Sequence, residues 1–267
     1  MMMRKVAFWI GLFVGLGWSS GASALPVNNP ITAGLVAAYE FSGNADDVSG
    51  NGNNGVVNGA TLTADRFGNV GSAYSFGSAN DSILVVGSVS GLSDYTQSLW
   101  VKSLDSEETD FEHALLITPI GTLFYEHSTK NLRVLITEDR EGGTTSNPHT
   151  AYKYVHSLDV VDEAWFHIAV TAHSDNTANL FINGTEVALG PRVTDGGGVG
   201  DVLATVMGAG ENPNQYQFSG SIDDVYIYDR ALSPSEVSTL FSVVPEPSTA
   251  LLLGIGLSAL AARSRAS

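Results

Sequence analysis

Phe218-Ser219-Gly220-Ser221-Ile222-Asp223-Asp224-Val225-Tyr226-Ile227-Tyr228-Asp229-Arg230-Ala231-Leu232-Ser233 is the stretch whose reading decides the fold. Ser221 to Tyr228 is rich in β-branched and aromatic residues and reads as a strand. Strict alternation predicts Ile222, Asp224, Tyr226 and Tyr228 on one face and Asp223, Val225 and Ile227 on the other, so that each face receives one aspartate. Beyond the strand the signals change. Ser233 is an N-cap, Pro234 occupies the first helical position and Glu236 the third, which makes a capping box before Val237 and Leu240. One or two helical turns therefore close the domain.

Working outward, the same short β-rich segments recur between clusters of glycine and asparagine, a pattern of all-β sandwiches and barrels. Leu35 to Phe41 reads as the first strand, followed by a long Asp/Asn/Gly loop over 44–58. Ala73–Phe76, Ser82–Val86, Gln97–Lys102, Ala114–Thr118, Leu123–Glu126 and Leu132–Thr137 follow. In Gln97–Lys102, alternation puts Leu99 and Val101 on one face and Trp100 on the other. Trp165–Thr171 is a long strand, and Ala178–Val187 a hairpin whose Asn183-Gly184 supplies the positive φ values of a type I′ turn. Val202–Met207 precedes the closing strand. The sequence contains no Walker loop, no dinucleotide fingerprint and no metalloprotease histidine pair.

Four stretches resemble the LamG-like jelly roll of the concanavalin A-like lectin/glucanase superfamily. They are Leu35–Phe41 with the loop Asp46-Asp47-Val48-Ser49-Gly50-Asn51-Gly52-Asn53; Leu99–Lys102; Trp165–Val170 with Leu180-Phe181-Ile182-Asn183-Gly184; and the closing segment above. The resemblance spans about residues 34 to 241. It implies an all-β sandwich of two stacked antiparallel sheets with a short C-terminal helix. It implies no single function, because a fold hosts many.

The ends carry address signals. Arg4 and Lys5 precede an apolar run, Val6 to Trp18, and the small-residue pattern Ala22-x-Ala24. This is the order of a cleavable signal peptide, residues 1–24. At 13 residues the run is below the ~17 to 25 needed to span a bilayer. At the other end, Val244-Pro245-Glu246-Pro247-Ser248 is followed by an apolar stretch from Thr249 to Ala262 and then by Arg263 and Arg265. Two prolines flanking a glutamate exclude helix and ladder alike. The apolar stretch is a short transmembrane candidate. Residues 244–267 resemble a PEP-CTERM sorting tail, which implies an exosortase-type processing enzyme acting at Pro245, Glu246 and Pro247, after signal peptidase has acted at the other end. It also implies a Gram-negative host that makes exopolysaccharide, with the membrane engaged only through the tail before processing. The expected organisation is signal peptide 1–24, LamG-like sandwich 25–243 and sorting tail 244–267, giving an exported envelope- or matrix-associated protein.

Composition narrows the functions. The chain has no cysteine, so no disulfide stabilises an exported domain. Its formal charge is −16. Loss of Arg4, Lys5, Arg263, Arg265 and Glu246 with the two ends leaves 8 basic and 27 acidic residues, about −19. Such a surface repels nucleic acid and anionic headgroups.

Candidate sites follow from residue chemistry. Asp46, Asp47 and Asn51, with Ser49 and Asn53 in the same loop and Asp223 or Asp224 on the closing strand, offer the oxygen ligands Ca²⁺ takes at ~2.3–2.6 Å. LamG-like domains often hold one such ion, which makes Ca²⁺ the expected cofactor if there is one. The alternative is that these side chains bind their own turns. Tyr125, Tyr152, Tyr154 and Tyr216 are candidate platforms for the C–H faces of sugars, as in binding of an extracellular polysaccharide; the alternative is packing at a sheet edge. The six histidines show no metal spacing, and His167 and His173 read as structural. Glu108, Asp110 and Glu112 resemble the Glu-x-Asp-x-Glu of laminarinase- and lichenase-type retaining glycosidases, in which strand alternation aligns nucleophile, helper and general acid. The polar lead-in from Ser103 to Glu107 argues instead for an acidic loop, and the expected protein is not an enzyme.

Overall fold

The structure, a computed structural model, describes residues 29–78, 80–86, 89–103, 112–126, 129–137, 151–158, 163–195, 204–210 and 216–243. Among them are sixteen strands and one helix: β1 (Leu35–Tyr39), β2 (Val56–Asn58), β3 (Thr61–Ala64), β4 (Val70–Phe76), β5 (Ser82–Val86), β6 (Tyr95–Ser103), β7 (Glu112–Thr118) and β8 (Gly121–Glu126). Then come β9 (Asn131–Thr137), β10 (Ala151–Ser157), β11 (Trp165–Ala172), β12 (Ala178–Ile182), β13 (Thr185–Val187), β14 (Val193–Asp195), β15 (Ala204–Met207), β16 (Gly220–Tyr228) and α1 (Pro234–Ser242). They build two eight-stranded antiparallel sheets. Sheet A runs β13-β12-β11-β6-β16-β4-β3, with β1 paired to the second half of β16, and sheet B runs β14-β10-β9-β8-β7-β15-β5-β2.

The expected jelly-roll sandwich is therefore present, and its core is made by alternation. Leu99 and Val101 of β6, Ile168 and Val170 of β11, and Val225 and Ile227 of β16 face Leu123 and Tyr125 of β8 and Val134 and Ile136 of β9 in one inter-sheet cluster. The intervening residues point outward. On sheet A these include Trp100, His167 and Tyr226; on sheet B they include Phe124, Leu135 and Val206. The β12–β13 turn has φ of 50° at Asn183 and 72° at Gly184, as a type I′ hairpin requires.

Two sequence expectations change. The loop expected over 44–58 ends in an edge strand, because Val56–Asn58 pairs with Ser82–Leu84 of β5. More consequentially, β16 does not alternate strictly. A β-bulge falls between Asp223 and Tyr226 against β6, with Asp224 at φ 44°. The extra residue shifts parity, so Ile222 joins Val225 and Ile227 in the core while Tyr226 and Tyr228 face outward. One aspartate per face was the expectation; the bulge turns both carboxylates to the outer side of sheet A, onto a single arginine.

The capping box forms as read. Ser233 Oγ accepts from Glu236 N–H, and Ser233 N–H donates to Glu236 Oε2 at 2.9 Å. Arg230 closes the motif with two bonds to the same carboxylate, which lowers the Glu236 pKa to about 2. The buried face of α1, Val237 and Leu240, packs onto Ala38, Ala169, Phe181, Tyr226 and Tyr228 outside sheet A.

Candidate functional site

The two outer faces of the sandwich hold different chemistry. On sheet A, Arg66 leaves the β3–β4 turn and lies almost wholly buried. Its Nη1 donates to Asp223 Oδ2 at 3.0 Å and Asp224 Oδ2 at 2.5 Å, and its Nη2 donates to the Val243 carbonyl at 3.2 Å. The guanidinium stacks over Trp100 at 4.5 Å and Phe67 at 4.4 Å. Trp100 stacks on Phe241 of α1 at 5.5 Å, and His167 lies beside both rings. Burial raises the pKa of both aspartates, and the charge of Asp224 raises Asp223 further, against the pull of the one guanidinium they share. His167 is pushed down to about 3 by burial and then by Arg66. Its Nε2 meets Ser98 Oγ at 2.8 Å while its Nδ1 has no partner among the described residues, so the neutral ring is best served by the tautomer protonated at Nε2. This cluster is sealed beneath α1 and is an element of stability.

Sheet B presents an open cleft of about 330 Å³ over β2, β5 and β15. Leu84 and Val206, from the outer apolar layer, line it, together with Ala209 and Gly210. The polar residues Asn58, Asn80, Ser82 and Gln217 complete it. Its volume is at the small end of ligand pockets, ~300 to 1,000 Å³. None of its described lining residues is charged. The Gln217 amide is oriented, since its Oε1 accepts from Asn80 N–H at 3.0 Å. Its backbone carbonyl meets His113 Nδ1, and Ala114 N–H donates to the Tyr216 carbonyl at 2.8 Å, so the 216–217 segment is pinned to β7. Tyr216, at 43% exposure, lies against Phe124 with ring centroids 5.1 Å apart.

Of the four candidate tyrosines, only Tyr216 is seen to offer an exposed ring beside this surface. Tyr125 is 1% exposed in the inter-sheet core, and Tyr154 is buried there with its hydroxyl donating to the Asn176 carbonyl. Neither presents a face to a ligand. Tyr152 is on β10, paired with Ile136 and Thr194. Glu108 and Asp110 lie outside the described residues, as does the sorting motif Pro245-Glu246-Pro247, and Glu112 opens β7 opposite Glu126.

The calcium candidates do not converge. Asp47 Oδ1 accepts the N–H groups of Ala38 and Ser49, and its Oδ2 accepts that of Asn53. The Asn51 and Asn53 side-chain amides donate to the carbonyls of Leu35 and Val36, filling acceptors a cation would need. Asp46 is exposed on the loop, while Asp224 is held by Arg66. Among the described residues no group of three or more His, Asp or Glu is placed to hold a metal. As arranged, these side chains knit the loop to β1 and do not fit a Ca²⁺ cage.

Sequence reasoning missed both the cleft and the arginine cluster. The cleft is assembled from residues 58, 80, 82, 84, 206, 209, 210 and 217, none of them in a motif. Arg66 had one available signal: it and Asp65 are the only charged residues between Asp47 and Asp81.

Fold and surface together define a two-sheet, lectin-like jelly roll with one closed and one open outer face. The family model described as concanavalin A-like lectin/glucanases superfamily matches residues 76–238, and the chain belongs to that superfamily. The PEP-CTERM protein-sorting motif matches residues 243–266, which marks an exported, envelope-associated bacterial protein processed by an exosortase-type enzyme. No curated protein matches the chain. Among solved structures, the binding domain of Paraclostridial Mosquitocidal Protein 1 is similar at 24% identity and TM-score 0.57, over 78% of this chain and 52% of that one. The botulinum neurotoxin serotype D ligand binding domain in complex with N-acetylneuraminic acid is similar at 17% identity and TM-score 0.57, over 80% and 52%. Domain 4 of AbnA, a GH43 extracellular arabinanase from Geobacillus stearothermophilus, in complex with arabinotriose, is similar at 21% identity and TM-score 0.51, over 79% of this chain and 99% of that domain. The chain spans about half the length of the two toxin domains. At these identities the likeness establishes the fold.

Proposed function

We propose that this protein is a non-catalytic, glycan-binding module of the bacterial envelope or extracellular matrix, and that it holds a neutral saccharide in the cleft over β2, β5 and β15. The observation that carries this reading is the lining: an apolar floor of Leu84 and Val206, the polar residues Asn58, Asn80 and Gln217 around it, and no charged residue among the described lining. Sugars present apolar C–H faces and a ring of hydroxyls that both donate and accept, which amides satisfy in both roles. A carboxylated or sulfated polymer would meet no cation there and a chain of formal charge −16 around it. Tyr216 offers the adjacent ring surface. The structures of a toxin ligand-binding domain with N-acetylneuraminic acid and of an arabinanase domain with arabinotriose support saccharide binding as a use of this fold. In this reading signal peptidase removes residues 1–24, the apolar segment 249–262 holds the precursor in the inner membrane of a Gram-negative cell, and cleavage near Pro245-Glu246-Pro247 releases the domain.

The test is a glycan array of neutral and acidic polysaccharides, probed with the exported protein with and without Ca²⁺ and chelator. Binding to neutral glycans that falls in Gln217→Ala and Tyr216→Ala supports the reading. Loss on chelation would make the ion part of the site. No binding to any glycan would assign the sandwich a structural role.

A further inference from the structure

The β3–β4 hairpin is an exposed apolar tip in an acidic protein. Val70 is 90% exposed, and Leu62 and Phe67 are 43% exposed. From residue 48 to residue 80 the only charged side chains are Asp65 and Arg66, and both are turned inward. Asp65 is buried, accepting from the N–H groups of Phe67 and Asn69 and from the Asn69 amide; Arg66 is held by Asp223, Asp224 and Val243. β3 is also the open edge of sheet A. Soluble proteins protect such edges with charge, proline or a covering element, and this edge has no charged or proline residue.

The position of Val243 points to what covers it. Arg66 bonds the Val243 carbonyl and stacks on Phe67, so Val243 lies beside the hairpin tip. The apolar tail begins at Thr249, six residues beyond Val243. Six residues span at most ~20 Å even when fully extended. A domain whose tail is in a bilayer is thus held with this tip near the lipid surface, and a neutral apolar tip escapes the repulsion that anionic headgroups exert on an acidic surface. We infer that Leu62, Phe67 and Val70 form a membrane-resting surface, seated in the bilayer interface while the tail is attached. The inference rests on the tail-in-membrane reading above.

The chain has no native cysteine, so single cysteines can carry an environment-sensitive fluorophore. Val70→Cys reports the tip, Leu62→Cys repeats it at a second position, Leu257→Cys reports the tail, and Val193→Cys on β14 is an exposed apolar control on the other sheet. The tail-bearing protein is reconstituted into phosphatidylcholine vesicles containing a spin-labelled lipid quencher. The expected result is blue-shifted, quenched emission from positions 70, 62 and 257 and none from 193, with loss of the signal at 70 and 62 after removal of residues 244–267. Quenching at 257 without quenching at 70 or 62 overturns the inference and leaves the tail reading intact. Absence of quenching at 257 overturns the tail reading and this inference with it. A blue shift at position 70 that grows with protein concentration in lipid-free solution would show edge pairing with a second copy and also overturn it.

Discussion

The outer face of sheet A and the outer face of sheet B start from the same rule and end differently. Both are the alternate positions of strands whose intervening positions fill the core. On sheet A those positions carry Trp100, His167, Tyr226 and the bulged aspartates, and they disappear beneath α1 and the Arg66 turn. On sheet B the apolar layer of Leu84, Phe124, Leu135 and Val206 is left, at its β2–β5–β15 side, with an uncharged cleft. The difference teaches how one alternation rule yields a sealed face and an open one. The Arg66–Asp223–Asp224 charges are buried under α1, whereas the β2–β5–β15 cleft keeps neutral polar residues on an apolar floor.

The comparison can be broken most forcefully at Arg66. Arg66→Ala leaves two buried carboxylates without their cation, and removal of one partner from a buried pair costs about 3–5 kcal/mol. Urea unfolding should show that loss, whereas Asp223→Asn, which removes the excess negative charge, should leave stability unchanged or raised at pH 8. Next comes His167. Its folded-state pKa lies below the unfolded value of 6.5, so its contribution is complete above pH 6.5 and is lost as pH falls toward about 3. The slope from one such group is up to about 1.4 kcal/mol per pH unit. His167→Gln should flatten the acid limb of the stability–pH curve over that window, and an unaltered limb would show that the ring is not buried neutral. Ser233→Ala removes the N-cap of α1 and should cost about 1 kcal/mol, seen as a lower denaturation midpoint. The smallest stability effect belongs to the open face: Tyr216→Ala should change stability by no more than ~0.5 kcal/mol while weakening glycan binding roughly tenfold, about 1.4 kcal/mol.

Much of the fold is legible in the sequence because period-2 alternation and a few local motifs are local physics. Leu99 and Val101 against Trp100, the Asn183-Gly184 turn and the Ser233–Glu236 capping box each need only neighbours along the chain. The bulge at Asp223–Tyr226 escapes that reading because alternation is silent about where a strand inserts a residue; the mate that fixes it, Arg66, is more than 150 positions away. The three-residue edge strands β2 and β14 are too short to show a period. Tyr125 and Tyr154 illustrate the same limit in the candidate site, since an aromatic residue on a strand looks alike in sequence whether its parity points it inward or outward. The cleft is a property of three strands meeting, and Gln217 acquires its orientation only from Asn80.

Backbone amide chemical shifts, followed while a neutral oligosaccharide chosen from the array is titrated into the exported protein, test the division of labour between the two faces most directly. The account predicts shifts concentrated in β2, β5, β15 and the 216–217 segment, with α1 and the 65–69 turn unmoved. Shifts centred on α1 and the Arg66 turn, or none at saturating sugar, would contradict it.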